Sequence, residues 1–233
     1  MTHVIQLGDI VIQVTQKDVK NVHLSVHPPD GRVTLVAPMA TRLAAARAYA
    51  ASRTGWIRRQ QAQFRTQARE APRGYVERES HYIWGRRYLL RVREVAAKQS
   101  VRLSNRTLTL TVRPGSTRSQ RAAVMEEWQR SLLHEVLPAL IRKWEKRLNV
   151  QVSHYYVQRM KTRWGGCCHR RGTIRLNTEL VKKPLDLLEY VLVHEMIHLV
   201  EPTHSERYMS LLNRHYPGWR EARMELNELP LSS

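Results

Sequence analysis

Cysteine is scarce in this sequence, and long apolar runs are absent. The chain has two cysteines in 233 residues, and because Cys167 and Cys168 are adjacent, a disulfide between them would be strained. No apolar run approaches the roughly 20 residues that a membrane-spanning helix needs. The N-terminus, MTHVIQLGDI, lacks the basic region and apolar core of a signal peptide. These absences predict a cytoplasmic protein in a reducing compartment, with no membrane partner.

Acidic residues are few relative to basic ones. The chain has 20 Asp and Glu against 39 Lys and Arg, a net charge of +19 and a pI near 10.7. An excess this large favours polyanionic partners such as nucleic acid or nucleotides. Arginine is spread along the chain with few dense blocks, so a basic, solvated surface explains the charge equally well. Nucleic-acid binding through the basic surface is therefore a hypothesis, and the pattern indicates no oligomeric state.

The first half of the chain is predicted to be rich in strands around one helix. Apolar and polar residues alternate over 4–14 and 20–36, and the HPPDG turn makes the second stretch a predicted hairpin. An Ala- and Arg-rich run predicts a helix over 41–69. Further strands are predicted over the following ranges: 75–84, 88–95, 101–103 and 108–112. We place a domain boundary after Arg113, which gives a β-rich domain over 1–113 and a second domain over 114–233.

The second half is predicted to be mainly helical. Ser116 or Thr117 can cap a helix that runs to about Leu148. Strands are predicted over 151–158 and 173–176, and another helix begins near Pro184 and ends near Val200, because Pro202 limits its extension. A last helical region is interrupted at residues 217–218. The fold class predicted from the whole pattern is α+β.

The segment HEMIH, residues 194–198, is an instance of H-E-x-x-H. His194 and His198 lie one helical turn apart, so both imidazoles leave the same face and can bind one tetrahedral ion. Zinc accepts such a pair, and a catalytic zinc takes three protein ligands and leaves the fourth position to water. The Glu195 carboxylate can reach that fourth position without coordinating the metal, which makes it a candidate general base.

A core stripe is predicted on the opposite face of this helix, because its apolar residues recur at intervals of three and four. Its members are Leu185, Leu188, Leu192, Met196 and Leu199.

The candidate third zinc ligand is His204, ten residues after His194. The helix end enforced by Pro202 lets the chain turn back towards the metal. The spacing is that of H-E-x-x-H-x-x-G-x-x-H, with Glu201 in place of the glycine. His215 and Glu201 are alternative ligands should His204 point away. The alternative to a metal site is a set of surface histidines on one helix.

A second motif, Arg163-Trp164-Gly165-Gly166-Cys167, lies between a predicted strand and a turn. Arg163 and Lys161 are candidates for holding an anionic substrate or a developing oxyanion. We interpret Trp164 and Cys167 as packing residues. Cys168 is disfavoured as a nucleophile, because no Cys-His-Asn set is evident.

The sequence resembles the YgjP-like metallopeptidases, which are related to the SprT and WLM zinc peptidases. The resemblance covers almost the whole chain through three stretches: VKNVHLSVHPPDGRVTLVAP with the downstream GWI, MKTRWGGC, and TIRLNTELVKKPLDLLEYVLVHEMIHLVEPTHSERY. It implies zinc ligands at His194, His198 and His204, a base at Glu195, and a minimal zincin-like domain behind a β-rich N-terminal one. Gly166 stands where these relatives have Ser, and Tyr208 where SprT-like relatives have Phe.

Peptide hydrolysis with one zinc ion per chain is the function predicted first, because H-E-x-x-H sites typically act on an amide carbonyl. The alternative is a metal-dependent UTP pyrophosphatase, an activity linked to members of this family and suited to the basic charge. A third hypothesis is an SprT-like protease acting on nucleic-acid-associated proteins, although the Cys-rich zinc ribbon of those relatives is lacking. A scaffold with a vestigial site is disfavoured, since Glu195 is present.

Overall fold

The computed structural model describes residues 2–27, 31–66, 69–70, 73–160, 162–228 and 231–232. The fold is mixed α+β, with several small sheets and six α-helices in the described residues. The chain divides into two compact units, Met1–Glu70 and Ala71–Ser232. The predicted boundary after Arg113 lies inside the second unit, and a separate hydrolase domain over 114–233 stays a prediction.

The first unit packs a four-stranded sheet against two helices. Its elements are β1 (Thr2–Leu7), β2 (Ile10–Lys17), β3 (His23–His27), β4 (Arg32–Pro38), α1 (Leu43–Ser52), α2 (Thr54–Thr66) and β5 (Arg69–Glu70). The sheet order is β1-β2-β4-β3. The predicted hairpin is confirmed, because β3 pairs antiparallel with β4. The single helix predicted over 41–69 is two helices that meet at Arg53.

The second unit begins with another four-stranded sheet and a long helix. Its strands are β6 (Ser80–Ile83), β7 (Arg86–Glu94), β8 (Ser100–Ser104) and β9 (Thr107–Val112), in the order β6-β7-β9-β8. The helix α3 (Arg118–Leu148) starts at a capping box between Thr117 and Gln120, as the cap prediction requires. The strand predicted over 75–84 is shorter, because the Glu79 carboxylate accepts the N–H groups of residues 74–76 and turns the backbone.

The rest of the second unit is a three-stranded sheet and three helices. The strands are β10 (His154–Gln158), β11 (Gly165–Cys168) and β12 (Thr173–Asn177), in the order β10-β12-β11. Short 3₁₀-helices cover His169–Arg171 and Thr178–Lys182. The helices α4 (Leu185–Ile197), α5 (Glu206–His215) and α6 (Trp219–Glu228) follow, and β13 (Leu231–Ser232) comes last. No α-helix in the described part of the chain is long and apolar enough to cross a membrane.

The helix α4 is buried on nearly every side. Of the predicted core stripe, Leu188, Leu192 and Met196 are fully buried, whereas Leu185 is 44% exposed at the first turn. Residues outside that stripe are buried as well: Leu187, Val191, Val193 and Ile197. The reason is that α3, α5, α6 and the β11–β12 hairpin all pack around α4. The last turn of this buried helix carries the H-E-x-x-H residues.

Candidate metal centre

Three histidines meet at the C-terminal end of α4. His194 lies in the last turn, His198 is the C-cap residue, and His204 directly precedes the N-cap Ser205 of α5. One possible ligand atom from each ring lies within 4.8 Å of the others. The Nε2 atoms of His194 and His204 are 3.3 Å apart. The structure thus brings together the three residues that the sequence selected as metal ligands.

The spacing and orientation of the rings fit a metal ion. Two nitrogens bound to one tetrahedral zinc at 2.0–2.1 Å would lie about 3.3 to 3.4 Å apart, which matches the distance between His194 and His204. The Nδ1 of His198 lies 3.0 Å from the Glu201 carbonyl oxygen. If Nδ1 donates to that oxygen, Nε2 keeps a free lone pair for a metal.

Burial also favours the metal-binding protonation state. Burial first, and then His198, His204 and Arg223, lower the pKa of His194 to about 3. Burial is also the main cause that lowers the pKa of His198. Both shifts favour the neutral ring, which is the form in which imidazole binds metal.

The two alternative ligands do not join the three histidines. The Glu201 carboxylate accepts a hydrogen bond from the Thr203 hydroxyl at 3.0 Å. His215 lies beside another cavity, with Trp144 and Glu189. Among the described residues, His194, His198 and His204 form the one group of three possible metal-ligating side chains.

Tyr208 of α5 supports two of the histidines. It is fully buried, and its ring stacks on His198 with centroids 4.6 Å apart and an interplanar angle of 28°. Its hydroxyl donates to the His194 backbone carbonyl at 3.2 Å. Burial, reinforced by the Glu195 carboxylate, raises the Tyr208 pKa, so the hydroxyl stays a donor. The sequence marked this residue only as a departure from Phe.

Glu195 is buried against the first residue of β11. It is 7% exposed, and burial raises its pKa to about 7, although the Arg163 guanidinium opposes this shift. A Cβ atom at Gly165 would lie 2.6 Å from Glu195 Oε1. The Glu195 carboxylate thus occupies the space that a larger side chain at position 165 would need. A Cβ at Gly166 would meet nothing within 4 Å, so the Ser of the relatives would fit there.

Asn177 holds the segment that precedes β11. Its side chain is completely buried and donates to the carbonyls of Met160 and Arg163, each at 2.8 Å. Its Oδ1 accepts the N–H groups of Met160 at 3.3 Å and Glu179 at 3.2 Å. Sequence reasoning missed this residue. Its signal was an Asn at the end of a strand that contains the apolar residues Ile174 and Leu176, where a buried amide requires partners.

A cavity of about 510 Å³ opens over the histidines and Glu195. Arg163, from the segment before β11, and Arg223, from α6, line it. Neither guanidinium pairs with a carboxylate among the described residues. Arg163 was selected from the sequence, whereas Arg223 was not, because a lone arginine on a C-terminal helix has no motif. Lys161 lies outside the described residues.

The other residues of the Arg163–Cys167 motif fit the packing interpretation. Trp164 packs partly buried against the core, under the Lys183 ammonium, which is 5.4 Å from its ring centroid. Cys167 lines the cavity as a free thiol, and burial raises its pKa to about 11, helped by Glu195 and Cys168. A thiol that stays protonated at neutral pH is a poor nucleophile.

Two solved structures resemble parts of this chain. One is the metallopeptidase zymogen jannalysin of Methanocaldococcus jannaschii, with 21% identity and a TM-score of 0.35 over 38% of this chain and 91% of that chain. The other is the zymogen abylysin of Pyrococcus abyssi, with 21% identity and a TM-score of 0.37 over 39% of this chain and 91% of that one. At these TM-scores neither likeness extends to the architecture of the whole chain.

The family comparison covers most of the sequence. Comparison with the curated proteins finds no match. The family described as YgjP-like, metallopeptidase domain, matches residues 20–229, which include the three histidines, Glu195 and the segment around Gly165. The chain belongs to the YgjP-like metallopeptidase family.

Proposed function

We propose that this protein is a zinc metallopeptidase with a zincin-like site, in which His194, His198 and His204 hold one zinc ion and Glu195 is the general base. The observation that carries the proposal is the convergence of three histidine side chains within 4.8 Å beside a buried carboxylate. A metallopeptidase family implies a divalent metal. Three imidazole donors without thiolate suit zinc, whose catalytic sites include sets of three histidines.

The metal supplies one part of the chemistry and the protein supplies the rest. A zinc ion bound there would polarise the substrate carbonyl and lower the pKa of water towards about 7. Glu195, with a pKa of about 7, can accept a proton from the attacking water and return it to the leaving amine near neutral pH. The buried position beside Gly165 limits where the carboxylate can move.

Other residues orient the ligands. The Glu201 carbonyl fixes the His198 ring through Nδ1, and Tyr208 stacks on the same ring while it binds the His194 carbonyl. Such contacts to metal ligands raise metal affinity 10- to 100-fold in other proteins, as an order of magnitude. They support the assignment of these histidines, since surface histidines need no such partners.

The first test separates metal binding from catalysis. We expect one zinc per chain by elemental analysis and hydrolysis of a casein substrate. Glu195→Gln should keep the zinc and lose activity by about 10²- to 10⁴-fold. The matched control is Glu135→Gln, an exposed residue of α3, which should keep both properties. Zinc-free protein after metal-replete purification would contradict the proposal.

A second variant pair tests the third ligand. His204→Ala should lower zinc content and affinity, whereas His154→Ala, an exposed histidine on β10, should not. Full zinc retention by His204→Ala would remove His204 from the ligand set.

Arg163 and Arg223, which line the cavity and form no ion pair with a described residue, favour one alternative, the hydrolysis of a nucleoside triphosphate such as UTP. Guanidinium groups bind phosphate oxygens well. Incubation of the zinc-loaded protein with UTP and with casein distinguishes the two activities. If UTP is consumed, casein persists and Glu195→Gln is inactive, the peptidase assignment fails and the pyrophosphatase assignment replaces it.

A further inference from the structure

One side of the β6–β9 sheet, here called the outer face, carries arginines. In β7 the side chains of Tyr88 and Leu90 are buried, whereas those of Arg87, Arg91 and Arg93 alternate with them and are exposed. The buried side faces α3 and the core. Successive side chains of a strand point to opposite faces of a sheet, so the three arginines share the outer face.

Strand register extends this basic surface across the sheet. Thr109 of β9 lies opposite Arg91 on one side and opposite Arg102 of β8 on the other. Arg91 and Arg93 are therefore about 7 Å apart along the strand, and Arg91 and Arg102 about 10 Å apart across it. The centre of the outer face is lined by the β9 threonines, whose hydroxyl groups can donate hydrogen bonds to phosphate oxygens.

Among the residues that the structure describes, no carboxylate pairs with an arginine of the outer face. Glu94 is the only acidic residue in the four strands, and it has the register of the buried side. Its carboxylate is already bound by the Arg121 guanidinium and the Gly115 N–H. Glu77 lies beside β7, where its carboxylate accepts the Val92 N–H at 2.8 Å.

Within the described part of the chain, the four arginines of the outer face form no ion pair. Arg87 donates to the Ser80 hydroxyl at 2.9 Å, and none of Arg87, Arg91, Arg93 and Arg102 contacts a carboxylate of any residue that the structure describes. Four unpaired guanidinium groups on one open surface are complementary to a polyanion.

The outer face also exposes two large side chains. Tyr82 is 41% exposed and Leu89 is 38% exposed. Register places Tyr82 opposite Arg87, and Leu89 between Ser80 and Thr107. A tyrosine ring among arginines offers a stacking surface for a base. Bases of a duplex are already stacked on each other, so this surface suits an unpaired strand.

We propose that the outer face of the β6–β9 sheet binds single-stranded nucleic acid, with Arg87, Arg91, Arg93 and Arg102 contacting phosphates and Tyr82 contacting a base. Two apolar or aromatic side chains are too few for insertion into a bilayer, which favours nucleic acid over an anionic membrane. The surface lies apart from the histidine cavity in sequence and composition, so the proposal does not depend on the proposed peptidase activity.

The test measures binding of the full-length protein to a fluorescently labelled oligothymidylate by polarisation at several salt concentrations. The variant R87Q/R91Q/R93Q/R102Q should bind at least about tenfold more weakly at low salt. Its slope of log K against log salt should be smaller by about 3, because four phosphate contacts on a single strand contribute about 0.7 each. Tyr82→Ala should weaken binding by roughly fivefold or more, and Tyr82→Phe should not.

The matched control removes four exposed arginines from other elements: R47Q/R142Q/R207Q/R214Q. It has the same net charge as the outer-face variant and should bind nearly as well as the unchanged protein. Thermal unfolding and zinc content report whether either variant still folds. Equal losses for both variants would overturn the proposal, because net charge would then explain binding. Equal or tighter binding to duplex DNA, or binding only to phosphatidylserine vesicles, would also overturn it.

Discussion

The histidine cavity and the outer face of the β6–β9 sheet use charge in opposite ways. In the cavity, burial raises the pKa of Glu195 to about 7 and lowers that of His194 to about 3. On the outer face, Arg91 and Arg102 are exposed on paired strands, and neither forms an ion pair with a described residue. The pKa values in the cavity depend on how the surrounding residues pack, whereas the attraction of an anion to the outer face depends on its net charge and on the salt concentration. Packing changes should therefore affect the cavity alone.

Among changes to the packing of the two regions, the largest expected effect comes from Gly165→Ala. The new methyl group would lie 2.6 Å from Glu195 Oε1, so the carboxylate must move away from its position. We expect kcat to fall by about 10²-fold, since a displacement of about 1 Å has this effect in other enzymes. Steady-state kinetics with a peptide substrate measure it.

Gly166→Ala is the matched control, because its Cβ meets nothing within 4 Å. It should change kcat by no more than about twofold. Equal kcat values for the two alanine variants would show that packing does not set the position of Glu195. The cavity would then not differ from the outer face in its dependence on packing.

The next largest effect is expected for Asn177→Ala. The change leaves the carbonyls of Met160 and Arg163 and the N–H of Glu179 without their buried partner. Unsatisfied buried groups cost about 1–3 kcal/mol each, so we expect a loss of about 3 kcal/mol in the free energy of unfolding. Thr109→Ala on the outer face should lose less than about 1 kcal/mol. Urea unfolding followed by circular dichroism compares them, and similar losses would contradict the prediction.

A pH-dependent contrast is expected between the two sides of β6. His81 is 3% exposed, and burial, together with Arg73, lowers its pKa from 6.5 to about 4 despite Glu79. Between these values the unfolded chain binds a proton that the folded chain does not, so stability falls as pH drops from 6.5 to 4. This contribution is on the order of 3 kcal/mol.

The measurement is the unfolding free energy of the zinc-loaded protein from pH 7 to pH 4. His81→Phe should remove this contribution and make the fall in stability smaller by that amount, because one of the titrating groups is gone. Tyr82→Phe, on the outer side of the same strand, should leave the curve unchanged. A His81→Phe curve parallel to that of the unchanged protein would refute the assignment.

The smallest effect is expected for Tyr208→Phe. The stacking on His198 stays, and the hydrogen bond to the His194 carbonyl is lost. We expect a loss of about 1 kcal/mol in stability and a zinc affinity several-fold lower. Tyr216→Phe also removes a hydroxyl that donates to a backbone carbonyl, that of Asp186 at 2.9 Å, and should leave zinc affinity unchanged. Competition with a zinc chelator measures the zinc affinity of both variants. Equal affinities would show that the Tyr208 hydroxyl does not affect the metal centre.

The parts of the site that the sequence predicted are those within one segment. His194, Glu195 and His198 are spaced by one helical turn, and Pro202 ends the helix before His204, so local geometry brings the three histidines together. The contact between Gly165 and Glu195, and the hydrogen bonds of Asn177, join segments far apart in sequence. Residue types within a motif do not show which distant atoms they meet.

The fold, like the site, could be predicted where the signal lies within one segment of the sequence. Strand alternation predicted the β3–β4 hairpin, and the cap at Thr117 predicted the start of α3. The surroundings of α4 were not predictable, since its apolar residues suggested one buried stripe and the structure buries Leu187 and Val193 as well. Packing from several sides depends on elements whose positions a periodicity pattern does not contain.

The helix α3 links the two contrasted regions. Met125 near its start belongs to the core under the β6–β9 sheet, whereas Leu133, Leu137 and Trp144 belong to the core around α4. One helix of 31 residues thus contributes to the core under the outer face and to the core around α4, and we expect both regions to lose support when it unfolds. A ligand that binds only the folded state stabilises everything that unfolds with it. Removal of a metal bound at the proposed site should therefore lower the temperature at which the outer face unfolds, although no arginine has changed.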